Sequence, residues 1–82
     1  MLYSIEIKPT AIKDLNSLDR KEALRITEKI KALENDLSGN VKKLTNFTPE
    51  YRLRVGDYRV LFGIEGQNVI VYRIKHRKEA YR

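Results

Sequence analysis

The apolar positions change their period twice along the chain, and each change marks an element. Residues 2–7 alternate, with Leu2, Ser4 and Glu6 on one side and Tyr3, Ile5 and Ile7 on the other, the pattern of a short half-buried strand. Pro9 follows, suited to the first turn of a helix, where its missing N–H costs nothing. Ala11, Ile12, Leu15 and Leu18 fall at helical spacing and predict a first helix over 9–17. Asp19, with Glu22 three residues on, predicts the start of a second helix with a capping-box-like pair in which Asp replaces the usual Ser or Thr. Ala23, Ile26, Ile30, Leu33 and Leu37 make its apolar stripe, with Lys21, Arg25, Glu28, Lys29 and Lys31 mostly away from it. Residues 35–40, with Ser38-Gly39, end it. The two helices are expected to form an antiparallel hairpin whose stripe is buried on the inner face of the strands.

Period two returns at 51–62, Tyr-Arg-Leu-Arg-Val-Gly-Asp-Tyr-Arg-Val-Leu-Phe. Gly56-Asp57 is a two-residue turn signal with Gly first, which suits a type II′ turn. That loop sets Val55 opposite Tyr58, Arg54 opposite Arg59 and Leu53 opposite Val60. Tyr51, Leu53, Val55, Tyr58, Val60 and Phe62 then share one face, and Arg52, Arg54 and Arg59 the other. Before the hairpin, Lys42-Lys43-Leu44 reads as the exit from the helix, and 45–50, with Pro49, as a loop. After it, Gly66-Gln67-Asn68 is a turn, read as three residues with a bulge, and 69–75 a last strand. Under that loop Ile70, Tyr72 and Ile74 join the core face, and Val71, Arg73 and Lys75 join the arginines; an even loop would reverse both sets. The order β-α-α-β-β-β predicts an α+β fold, an antiparallel sheet with an N-terminal helical hairpin packed on one face, as a single domain over 1–82.

Charge sharpens the picture. The chain of 82 residues carries a net +6. Residues 1–41 are balanced, so the entire excess lies in 42–82, the half that holds the hairpin. Segregated positive charge is the electrostatic footprint of a nucleic acid or an acidic protein; the plain alternative is a solvated basic surface. There is no cysteine and one histidine, His76, so a disulfide scaffold is excluded and no metal or cofactor is expected. No apolar run reaches the roughly 18–20 residues that span a bilayer, and the N-terminus lacks a signal-peptide pattern. A cytoplasmic location without membrane contact is the expectation.

Paired carboxylates, Ser-His-Asp or Cys-His arrangements and Gly-rich phosphate loops are not visible. Any catalysis must use Arg, Lys, His76 and Tyr, which suit an anionic transition state. Arginine grips phosphate with a bidentate fork and keeps its proton. RNA brings its own nucleophile, the 2′-OH. His76 is a candidate for proton transfer, and Tyr81, near the end of the chain, could act if cations lower its pKa. Tyr51, Tyr58 and Tyr72 read as packing residues. Arg73 and Lys75 read as solvated strand residues or RNA contacts, and Lys42 and Lys43 as phosphate contacts or helix-exit solvation.

Residues 51–62, followed by Val-Tyr-Arg-Ile-Lys-His-Arg-Lys-Glu-Ala-Tyr-Arg at 71–82, resemble the RelE branch of the RelE/ParE toxin superfamily, and the likeness covers nearly the whole chain. It implies a bacterial type II toxin that enters the ribosomal A site and cleaves mRNA, leaving a 2′,3′-cyclic phosphate. Carried over by position, the implied site is Arg52 and Arg54 on one strand, Arg59 on the next, and Arg77 and Tyr81 in the tail. Arg52, Arg54 and Tyr81 would orient the phosphate and activate the 2′-OH, Arg59 would stabilise the transition state, and Arg77 would serve the leaving-group side. Well-known members carry lysines where Arg52 and Arg54 stand. Arginine is a poor general base, which raises the weight of His76 or Tyr81. The resemblance also implies a cognate antitoxin with an acidic or amphipathic segment, and a toxin–antitoxin complex that binds operator DNA through the antitoxin. A gyrase inhibitor of the ParE kind and an inactive RNA-binding relative are the competing readings.

Overall fold

The computed structural model describes residues 3–35, 41–44 and 49–79. Among them the order is β1 (Ser4–Ile7), α1 (Pro9–Asn16), α2 (Arg20–Ala32), β2 (Val41–Lys43), β3 (Tyr51–Val55), β4 (Tyr58–Glu65) and β5 (Asn68–His76). The strands form one sheet in the order β1-β5-β4-β3-β2. This is the expected α+β arrangement, with one added strand and one departure from the expected antiparallel sheet. Residues 41–43, of which Lys42 and Lys43 read as the exit from the helix, form an edge strand against β3; three residues are too few for alternation to announce a strand. The pairs from β5 to β2 are antiparallel as expected, but β1 lies parallel to β5. Two helices and three strands lie between them in sequence, so no tight turn forces the pair to be antiparallel.

The helices form where the stripe and the caps put them. Pro9 opens α1. Asp19 caps α2, its carboxylate accepting the Glu22 N–H at 2.9 Å. Ile26 and Ile30 from α2, its C-cap Leu33 and Ala11 from α1 are buried with Leu53, Val55, Val60, Phe62, Val69, Val71 and Ile74 in one core. Each of the larger of these side chains stabilises the fold by about 1.5–3 kcal/mol. Ile12, expected in the stripe of α1, is 46% exposed. Leu37 and residues 36–40 lie outside the described residues.

The β3–β4 hairpin has the expected register, Val55 to Tyr58, Arg54 to Arg59 and Leu53 to Val60. Gly56 takes φ +58° in its two-residue turn, a left-handed conformation that favours glycine. The last strand departs from expectation. The β4–β5 loop has two residues, since Glu65 pairs with Asn68, and this sends Val69 and Val71 into the core. The bulge comes later: Leu61 pairs with Arg73 and Phe62 with Val71, leaving Tyr72 as an extra residue. The phase flips there. Ile74 therefore joins the core and Arg73 and Lys75 the arginine face, as expected, whereas Ile70 and Tyr72 fall on the face away from the core and Val71 within it.

Candidate nucleic-acid interface

The helices cover one face of the sheet, α2 against β3 and α1 against β5. The other face collects cations by register. Lys42 stands opposite Arg52, Arg54 opposite Arg59, and Arg59 opposite Lys75. Like charges directly opposite one another destabilise a sheet, so three such pairs side by side work against the fold. An anion on that face would offset the repulsion.

Arg59 is at the centre of the group. It is only 9% exposed. Its Nη1 donates to the carbonyl of Gly56 at 3.2 Å and to that of Tyr58 at 3.1 Å, which ties the guanidinium to the hairpin turn. Its Nε is buried with no hydrogen-bond partner among the described residues. No carboxylate of the described residues lies within ion-pair distance of Arg54, Arg59 or Lys75. The guanidinium is thus held and largely desolvated, without a carboxylate partner among the described residues, and burying a charge in this way is costly unless an opposite charge meets it. Arg54 is exposed beside it, and Arg52 and Lys75 are half-buried.

The remaining candidates divide. Arg77 lies beside the hairpin turn, its N–H donating to the Asp57 carbonyl at 2.7 Å and its Nε 4.0 Å from the Asp57 carboxylate. Arg73 belongs to the same face by register, but Asp14 of α1 holds it, with Nε 2.8 Å from Oδ2 and Nη2 3.1 Å from Oδ1. That carboxylate raises the Arg73 pKa. Lys43 pairs with Tyr51, on the core side of the sheet. Its ammonium lies 5.9 Å from the Tyr51 ring centre and 3.9 Å from Glu50, apart from the arginines. His76, expected in the tail, is the last residue of β5 and pairs with Tyr58, so it faces the helix side. Its ring meets Tyr58 edge-on at 5.5 Å, and its Nδ1 accepts the Lys78 N–H at 3.3 Å. Lys75 and His76 are consecutive strand residues and take opposite faces, which separates His76 from the arginines. Tyr81 lies outside the described residues.

Two features escaped the sequence reading. One is the Asp14–Arg73 contact, between residues 59 apart, for which no local pattern exists. The other is a cleft of about 390 Å³ lined by Pro49, Glu50, Gly63, Ile64, Glu65 and Tyr72. A glycine inside a strand was the available signal, since it often marks close approach of another group.

The chain matches the family model for the ParE toxin of the type II toxin–antitoxin system, parDE, over residues 5–81. It is 40% identical to toxin RelE3 of Methanocaldococcus jannaschii over 47 residues, 57% of this chain and only about half (53%) of that one. The structure resembles the RelB–RelE antitoxin–toxin complex from Methanococcus jannaschii with a TM-score of 0.74 and 31% identity, covering 93% of this chain and 94% of that one. It also resembles the RelE–RelB complex of Pyrococcus horikoshii, with a TM-score of 0.80 and 28% identity over 98% of this chain and 100% of that one. The chain therefore belongs to the ParE-toxin family of type II toxin–antitoxin systems, on the RelE branch of the RelE/ParE superfamily.

Proposed function

We propose that this toxin is a ribosome-dependent, metal-independent mRNA endonuclease that acts in the ribosomal A site in the cytoplasm. One observation carries the reading: Arg59 is held nearly buried between Arg54 and Lys75, with no carboxylate of the described residues at ion-pair distance. The 2′-OH attacks the adjacent phosphorus. The O2′–P bond forms as the P–O5′ bond breaks, giving a 2′,3′-cyclic phosphate and a 5′-OH. The 2′-OH loses its proton to a base and the departing O5′ gains one. Negative charge gathers on the non-bridging oxygens, where fixed positive charge lowers the barrier most. Arg59 serves that charge. Arg52 and Arg54 orient the phosphate, with Lys42 and Lys75 on flanking phosphates. Arg77 serves the leaving-group side and Tyr81 activates the nucleophile. His76, on the opposite face with Tyr58, is left out of the proton transfer.

The partner is a cognate antitoxin with an acidic or amphipathic segment, which would neutralise the cationic face. The likeness to chains crystallised in RelE–RelB complexes supports it. Operator binding by the pair would fall to the antitoxin.

Primer extension on an mRNA in a reconstituted translation system tests the nuclease, with wild type and Arg59→Ala, with and without ribosomes. Breaks within codons only when both ribosomes and Arg59 are present establish it. Intact mRNA with folded wild type refutes it. The family model's description as a ParE toxin favours a second reading, inhibition of DNA gyrase. Loss of supercoiling activity without RNA cleavage would establish that one.

A further inference from the structure

We propose that the cleft around Tyr72 is a nucleobase subsite that accepts an unpaired RNA base and prefers amino-bearing bases to uracil. The inference rests on the nuclease reading for its substrate and adds a selectivity that the cationic face cannot supply, because phosphate contacts carry no sequence information.

Two costly devices converge on Tyr72. The bulge in β5 makes it the unpaired extra residue; bulges often re-aim a side chain beside a functional site. Gly63 lies in the middle of β4, where glycine weakens a strand. A Cβ there would stand 3.3 Å from Tyr72 Cε2, so the glycine lets the ring lie against the strand. Tyr72 is half-buried, and with Pro49 and Ile64 it makes the aromatic and apolar part of the cleft. Aromatic rings stack on any base.

The position suits an RNA already held by the arginines. Gly63 follows Leu61 on the same face of β4, and Leu61 pairs with Arg52. The cleft therefore begins about 7 Å, two strand residues, from the Arg52 row. Its charge is opposite to that row. Glu50 and Glu65 line it, and both are exposed. Carboxylates repel phosphate but accept hydrogen bonds. Adenine, cytosine and guanine offer amino donors, while uracil offers mainly carbonyl acceptors. A backbone drawn to the arginines would thus turn an amino-bearing base toward Glu50 and Glu65. Glu50 also lies 3.9 Å from Lys43, a loose exposed pair that a base amino group can displace.

The simple alternative is that Tyr72 only covers Gly63, and binding separates the two. Short 2′-O-methyl RNA homopolymers of A, C or U cannot be cut through the 2′-OH, so their titration against backbone-amide NMR shifts reads the cleft directly. The A and C oligomers should shift the amides of Gly63, Glu65 and Tyr72 and bind about fivefold or more tightly than U. Tyr72→Leu should remove those shifts while the thermal midpoint is followed as a control, and Tyr72→Phe should retain them. Glu50→Gln with Glu65→Gln should level the preference. Shifts confined to the arginine strands, equal binding of all three oligomers, or no binding at all would each overturn the subsite. The nuclease assay is separate. An unchanged codon profile in Tyr72→Leu overturns the subsite and leaves the nuclease standing. Absence of cleavage by wild type overturns the nuclease, and the titration still decides the cleft.

Discussion

Asp14 Oδ2 accepts two hydrogen bonds at once, from Arg73 Nε at 2.8 Å and from the Ile74 backbone N–H at 2.9 Å. One turn earlier on the same helix, Thr10 Oγ1 donates to the Tyr72 carbonyl at 2.8 Å. β1 pairs with β5 only as far as Val71, so residues beyond it present an open strand edge. Thr10 and Asp14, four apart and on one face of α1, take over the hydrogen bonds that a longer β1 would make. Open edges need such cover, and here two helix side chains provide it.

Asp14→Ala should therefore destabilise the protein by about 1–2 kcal/mol, the range for a charged hydrogen bond discounted for an Arg73 that stays solvated. Differential scanning calorimetry would show a midpoint lowered by roughly 4–8 °C per kcal/mol in a domain of this size. Asp14→Asn should lose less, because the amide oxygen can still accept from Ile74.

Acid should erase the difference between wild type and Asp14→Asn. Burial pushes the Asp14 carboxyl up. The Arg73 hydrogen bond, the Ile74 N–H and the charges of Arg73 and Lys75 together pull it further down, so the net pKa lies below the ordinary value of 3.8. A carboxyl whose pKa is lower in the folded than in the unfolded chain adds stability above the unfolded value. That contribution is lost as pH falls through the folded pKa. Urea melts should show a constant gap near neutrality that shrinks as pH drops below about 4 and closes under strong acid. A gap that widened in acid would refute the assignment.

Arg59→Leu should leave stability unchanged or raise it, while abolishing the proposed cleavage. The substitution removes two like-charge cross-strand pairs, with Arg54 and Lys75, and a buried Nε that has no partner among the described residues. Replacing a buried charge with a packed apolar side chain is often neutral or stabilising. A fall of about 3 kcal/mol or more in urea unfolding would instead make Arg59 a structural residue.

The hairpin was legible in the sequence because alternation and a two-residue Gly loop together determine register. Tyr51 through Phe62 therefore took their expected faces. Beyond Gly66 the signal failed, since a bulge leaves no mark in composition. Arg73 and Lys75 reached the arginine face all the same, because the shorter loop and the bulge at Tyr72 each shift the phase by one residue and cancel. Ile70, Val71 and Tyr72 lie between the two shifts and carry the error. Of the candidate site, the cluster of Arg52, Arg54 and Arg59 followed from parity alone. Lys42 needed knowledge of β2, and the separation of His76 needed the true end of β5.

Salt should weaken RNA binding steeply, and less steeply once cations are removed from the face. Each phosphate neutralised on a single strand contributes a log–log slope of about −0.7. Arg54→Ala and Lys75→Ala should each make the slope shallower by about that amount. Lys43→Ala should leave it unchanged, since Lys43 pairs with Tyr51 on the core side of the sheet. Fluorescence-anisotropy titrations across a salt series would measure all three.

His76 provides the sharpest test of which face reacts. It is the only histidine and the most conventional candidate base in the chain. Strand alternation nevertheless turns it toward Tyr58, while Lys75, one residue earlier, stands opposite Arg59. A proton acceptor has to come within about 3 Å of the 2′-OH, and under the proposed mechanism a phosphate held by Arg54 and Arg59 would lie across the sheet from the imidazole. His76→Ala should therefore keep cleavage within about threefold of wild type, far short of the 10²–10⁴-fold that loss of a general base costs. Its effect should fall on stability, through the lost Tyr58 contact, at about 0.5–1.5 kcal/mol. Single-turnover cleavage on programmed ribosomes measures the first and thermal melting the second. A hundredfold loss of rate with the melting point unchanged would move the reaction to the helix side of the sheet and refute the arginine-face mechanism.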